Sequence, residues 1–228
     1  MNYRQQLKLQ LSPVEAALLK KLSTPNKIQD FLDSFPVNFS TIGEPIQSPR
    51  MVLQNKKAHC IEAAIVAAAS LAYHGRRPLL LDLQASNADE DHVVALFKEG
   101  NLWGAISKTN HPQLRWRDPV YQTIRELVMS YFHEYFLWDV THNGKKVAVA
   151  KKGTKTLRAY SKPFDLTCYS PERWWAAHDL DWLAEELDGS AHFPLLPKVA
   201  IKNVRPADKI EIVSAALCEW KERNKNVR

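Results

Sequence analysis

A nucleophile and a base stand in a workable order in this chain. Cys60 opens the run Cys60-Ile61-Glu62-Ala63-Ala64, and His92 opens the run His92-Val93-Val94-Ala95-Leu96-Phe97. A thiol in the first turn of a helix faces unpaired backbone N–H groups and the positive end of the dipole, which favour thiolate over thiol. Lys56 and Lys57 bring further positive charge. A histidine that begins a strand beside such a helix can accept the thiol proton, and the returning strand of a hairpin can carry the side chain that orients the imidazole. His59 has a lesser expected role. Adjacent residues on a helix point about 100° apart, so it tunes the charge at Cys60 and does not serve as its base.

The elements that must position these groups are legible on either side. From Cys60 to Tyr73 the chain holds six alanines and no Gly or Pro, which predicts a strong helix small enough to be buried on all faces. Gly75 is placed to end it. Leu79 to Leu83 reads as a buried strand and Asn87 to Asp91 as a polar loop. The strand from His92 turns at Glu99-Gly100-Asn101 into a return strand, Leu102 to Ser107, because Gly and Asn supply what a tight hairpin needs.

Cys60, His92 and Trp103, in that order, resemble the transglutaminase-like cysteine superfamily, the circularly rearranged relatives of papain-like peptidases. There the nucleophile opens a helix, a strand follows, the histidine begins the next strand, and a Trp shortly precedes an Asp or Asn. Ser107 stands in that last place, four residues past Trp103, with Asn110 three further on. The likeness spans residues 50–120. It implies thiol-dependent hydrolysis or acyl transfer on an amide or related acyl bond, with Cys60 as nucleophile and His92 as base. Ser107 or Asn110 would accept the Nδ1–H of His92, and Asp118 is a more distant candidate. Gln54, six residues before Cys60, matches the oxyanion-hole glutamine of papain-like enzymes. No metal or organic cofactor is implied, and the partners would be a peptide, a protein or a small amide. Because Ser107 departs from the family pattern, the alternative is a catalytically degenerate domain that serves as a binding or structural module.

Composition sets the class. The chain has 228 residues, 45% of them hydrophobic and 25% charged, as expected for a globular protein. Cys60, Cys168 and Cys218 are widely spaced and odd in number, which argues against a disulfide framework or zinc site and for a reducing, cytoplasmic compartment. No secretory leader or membrane span is read. The net charge of +6 is scattered in small clusters without a recognition motif, so nucleic acid is not an expected partner. Lone histidines such as His111 and His192 show no metal-ligand spacing.

The flanks read as follows. Leu7, Leu9 and Leu11 alternate as in a short strand, and Ser12-Pro13 and Thr24-Pro25 start two helices. Residues 37–53 read as a loop. Asp118-Pro119 is expected to open a long helix through Phe136, and Arg115-Trp116-Arg117 to cap it. Asn143-Gly144 signals a turn before strands carrying Val147, Val149 and Cys168, this last thiol buried and inert. Arg173 to Leu187 is a Trp-rich helix, Phe193 to Pro197 an extended connector, and Ile210, Val213, Leu217 and Trp220 stripe a last helix with Cys218 beside it. The expected fold class is thus α+β. A transglutaminase-like core at 37–169, a buried helix on an antiparallel sheet, carries a helical cap at 1–36 and a helical extension at 170–228.

Overall fold

The structure, a computed structural model, describes residues 1–38, 44–137, 141–142, 145–146 and 151–215. The chain begins with five helices: α1 (Tyr3–Gln10), α2 (Pro13–Lys21), α3 (Pro25–Asp33), α4 (Pro49–Asn55) and α5 (Cys60–Tyr73). Ser12 and Thr24 cap α2 and α3 through their side-chain oxygens, as their Ser-Pro and Thr-Pro starts predict. Two expectations fail here. The expected strand near Leu7 is a helix, because Asn2 and Gln5 form a capping box and only Leu7 of its leucines is buried; Leu9 is 69% exposed. The expected loop at 37–53 contains α4, which opens with the same Ser-Pro pair at Ser48-Pro49.

A seven-stranded antiparallel sheet follows, built from β1 (Leu79–Ala85), β2 (His92–Glu99), β3 (Leu102–Ile106), β4 (Arg117–Tyr121), β7 (Leu157–Ser161), β8 (Phe164–Asp165) and β9 (His192–Pro194). Its order is β4-β3-β2-β1-β7-β9, with β8 paired to the start of β1. A small separate pair, β5 (Thr141–His142) and β6 (Lys145–Lys146), lies between α6 (Ile124–Phe132) and β7. The remaining helices are α7 (Pro171–Trp175), α8 (Asp181–Asp188), α9 (Lys198–Ile201) and α10 (Lys209–Ala215).

Period-two alternation in β1 and β2 feeds two cores. Leu80, Val93, Ala95 and Phe97 pack with α5 and the N-terminal helices, whereas Leu79, Leu81, Leu83, Val94 and Leu96 pack with Leu127, Val128 and Tyr131 of α6. Covered on both faces, these strands read as continuous hydrophobic runs. Helix α5 is buried at every residue from Cys60 to Ala72, as its alanine content predicts. Trp174 and Trp175 of α7 are wholly buried in the same core as α5, so they act in packing and not as a surface for partners.

Several boundaries differ from the sequence reading. Asp118-Pro119 lies in β4, and α6 starts instead at the Thr123/Glu126 capping box. Proline is tolerated there because β4 is the sheet edge. Arg117 ties that edge to α6 through Ser130 and Glu134 and lies over the Tyr131 ring, 3.9 Å from its centroid. The Trp-rich helix is two helices, α7 and α8, and the connector at Phe193 pairs with Tyr160 as part of β9. The strands after Gly153, β7 and β8, pair antiparallel with β1. Cys168 ends a 3₁₀ turn and is exposed, not buried in a strand. Asn143-Gly144, Val147, Val149, Leu217, Cys218, Trp220 and the tail from Lys221 lie outside the described residues. Among the described residues, no helix is long and apolar enough to cross a membrane.

Candidate active site

Cys60 is the first residue of α5, where the helix begins its run of unpaired N–H groups. His59, the N-cap, is extended rather than helical (φ −82°, ψ 171°), and this changes its role. The 100° offset of helical neighbours does not apply to a residue outside the helix. Its Nδ1 lies 3.3 Å from Cys60 Sγ, so His59 is a direct partner of the thiol. His92 comes to the same sulfur from the sheet, near enough for its ring to favour the thiolate.

The hairpin explains how Ser107 joins them. Ala95 pairs with Ile106, and one further step of that register puts Ser107 opposite Val94. His92 is then a diagonal cross-strand neighbour on the same face. His92 Nε2 lies 2.7 Å from Ser107 Oγ, and Ser107 Oγ–H donates to the Leu114 carbonyl at 3.0 Å. A hydroxyl whose hydrogen is committed to a carbonyl accepts from the imidazole, so Nε2 carries the proton and Nδ1 is left for the thiol. The expected contact through the Nδ1–H is therefore replaced by one through Nε2. Asn110 takes no part in orienting the ring, and its Oδ1 accepts a 3.5 Å bond from Thr109 Oγ1 instead. Asp118 accepts from Trp116 Nε1 at 2.8 Å, and Gln54 is exposed on α4 with no hydrogen bond to the site among the described residues.

The electrostatics follow from burial and the two imidazoles. Cys60 is 8% exposed and His92 5% exposed. Burial opposes ionisation of the Cys60 thiol, yet the charge and hydrogen bond of His59, joined by those of His92, hold it well below its ordinary range. Reciprocally, the Cys60 thiolate raises His59 to about 9, with burial opposing and Glu62 and Glu90 assisting. The two shifts together favour a thiolate on Cys60 paired with a protonated His59.

A buried scaffold fixes both halves. Glu62, 2% exposed in the first turn of α5, accepts the His59 N–H at 2.6 Å and the Gln47 N–H at 2.9 Å. The Gln47 and Asn38 side-chain amides also donate to it. A carboxylate at a helix N-terminus is favoured by the dipole, and here it pins the His59 backbone. On the other side Gln29 of α3 clamps Ser107 twice, accepting its N–H at 3.0 Å and donating to its carbonyl at 2.9 Å. The N-terminal helices thus support the site directly. Sequence reasoning gave His59 only a charge-tuning role, because its φ and ψ were not legible, and missed Gln29, because 78 residues separate it from Ser107.

Compared with known proteins, the chain matches no protein-family model and no curated protein.

Proposed function

We propose that the protein performs thiol-dependent chemistry on an amide or related acyl bond, by hydrolysis or acyl transfer, on a transglutaminase-like fold. The observation that carries this reading is Cys60 Sγ at the start of α5, 3.3 Å from His59 Nδ1 and under the influence of His92, itself held through Nε2 by Ser107. In the resting site the thiol proton resides on imidazole and the sulfur is ready to attack. The thiolate adds to the acyl carbon, and the unpaired N–H groups of the first helical turn face the oxygen that gains charge. His59, which holds the thiol proton, delivers it to the departing amine, leaving a thioester on Cys60 and a neutral His92 free to act as base. Water or a second amine then gives a proton to His92 as it breaks the thioester, which restores the thiolate. The substrate would be a peptide, a protein or a small amide.

A second reading, a non-catalytic module, is supported by the near-complete burial of Cys60 and His92 and by a neutral serine at the orienting position. One experiment separates the two. Iodoacetamide labelling of each cysteine is mapped at pH 6, and the chain is incubated with a panel of activated amides and esters to trap acyl adducts by mass spectrometry. Cys60 is expected to label ahead of the exposed Cys168 and to carry the adduct, which fails to turn over in His92→Ala. A Cys60 that labels no faster than Cys168 and takes no acyl group establishes the module instead.

A further inference from the structure

Beside the thiol, three carboxylates from distant parts of the chain converge. Asp82 is in β1, Asp91 immediately precedes β2, and Asp188 ends α8. One oxygen from each lies within 4.8 Å of the others. Asp91 and Asp188 are exposed, whereas Asp82 is 1% exposed. Clusters of acidic side chains are common on protein surfaces, and this one is set apart by the state of its buried member.

Asp82 Oδ2 lies 2.9 Å from His192 Nε2, and His192 Nδ1 lies 2.8 Å from the Ser190 carbonyl. A carbonyl only accepts, so Nδ1 carries a hydrogen, and a proton lies between Nε2 and Oδ2. The other oxygen, Oδ1, is buried and receives no donor among the described residues. A buried carboxylate oxygen costs free energy unless something positive meets it. Asp91 repels both Asp82 and Asp188, and His192 opposes that repulsion at all three carboxylates. His192 is already committed through both ring nitrogens, which leaves Oδ1 of the buried Asp82 without a donor among the described residues, in a cluster with two further carboxylates.

We infer that Asp82, Asp91 and Asp188 form a binding site for a single hard divalent cation, with His192 holding the Asp82 carboxylate in place. The ligand set is all oxygen, which selects calcium, manganese or magnesium over zinc or copper. Spacing favours the larger ions. Three oxygens 4.8 Å apart stand about 2.8 Å from an ion equidistant from them, which is nearer the bonds of about 2.4 Å that calcium makes than the roughly 2.1 Å that magnesium needs. The His192-to-Asp82 bond is the outer support that metal-ligating carboxylates use to fix their orientation. The site does not depend on the thiol reading, since none of its ligands takes part in that chemistry.

The test uses the full chain stripped with a chelator and then titrated with Mn²⁺ alone, free Mn²⁺ being read by electron paramagnetic resonance, with Ca²⁺ as competitor. The expected result is one saturable Mn²⁺ per chain, with a dissociation constant below about 1 mM, displaced by Ca²⁺. Asp91→Asn and Asp188→Asn each weaken it at least tenfold, whereas Asp179→Asn leaves it unchanged. Both substituted ligands are exposed, and the amide introduced by Asp91→Asn keeps an oxygen for the Ala85 N–H that Asp91 Oδ1 now accepts at 2.6 Å, so circular dichroism is expected to be unaltered. Absence of saturable binding, or binding indifferent to both ligand substitutions, overturns the site.

Discussion

Removing the sulfur should release His59. In Cys60→Ala the imidazole loses the partner that contributes most to raising it from 6.5 to about 9. At 1.36 kcal/mol per unit, that rise corresponds to about 3 kcal/mol, a change of a few hundredfold in proton affinity. The assay is a titration of the histidine Cε1–H resonances by NMR, with His59 assigned from a His59→Gln variant. His59 is expected to titrate near 9 in the native chain and well below that in Cys60→Ala, where burial lowers it and only Glu62 and Glu90 still raise it. Stability carries the same signature. A raised His59 contributes below 6.5 and loses its contribution as pH rises through about 9, whereas a lowered Cys60 loses its own as pH falls through its folded value. Because one proton moves from sulfur to imidazole, the pair's contribution is level between about 6.5 and 9. It declines on acidification below that window. A His59 that titrates identically with and without the sulfur would refute the ion pair and the thiolate with it.

Two further outcomes test the supports. Ser107→Ala leaves the His92 Nε2–H and the Leu114 carbonyl buried without their partner, and urea denaturation should show a loss of about 1–3 kcal/mol together with slower labelling of Cys60. Gly104→Ala puts a Cβ 2.4 Å from Phe97 Cζ and 2.9 Å from the Arg117 carbonyl, where the aromatic ring can yield and the β4 backbone cannot; a drop of about 1–3 kcal/mol is expected in the same assay.

What could be read in advance follows the range of each interaction. The α5 helix with Cys60 as its first residue, β1, and the β2–β3 hairpin with His92 at its start were legible because local propensity and a tight turn place them. The Ser107 contact followed from hairpin spacing, although the ring nitrogen involved did not, since the tautomer is set by the Leu114 carbonyl in a later loop. Asp118-Pro119 misled because proline suits a helix start as well as an edge strand, and only the strand order decides. The Asp82, Asp91 and Asp188 cluster left no local trace, since strand pairing and packing assemble it from three separate segments.

The clamp between Gln29 and Ser107 gives the first helices a mechanical standing that their position in the chain does not suggest. A side-chain amide that mimics a neighbouring strand holds the backbone of the residue that aims His92. The path from α3 to the imidazole is therefore two hydrogen-bonded steps long, through Gln29 and then the Ser107 hydroxyl. Any event that rotates α3 is transmitted to His92 without touching Cys60. The outer face of that helix is a lever on the site, and disturbance there would register as a mis-set histidine before it registered as unfolding.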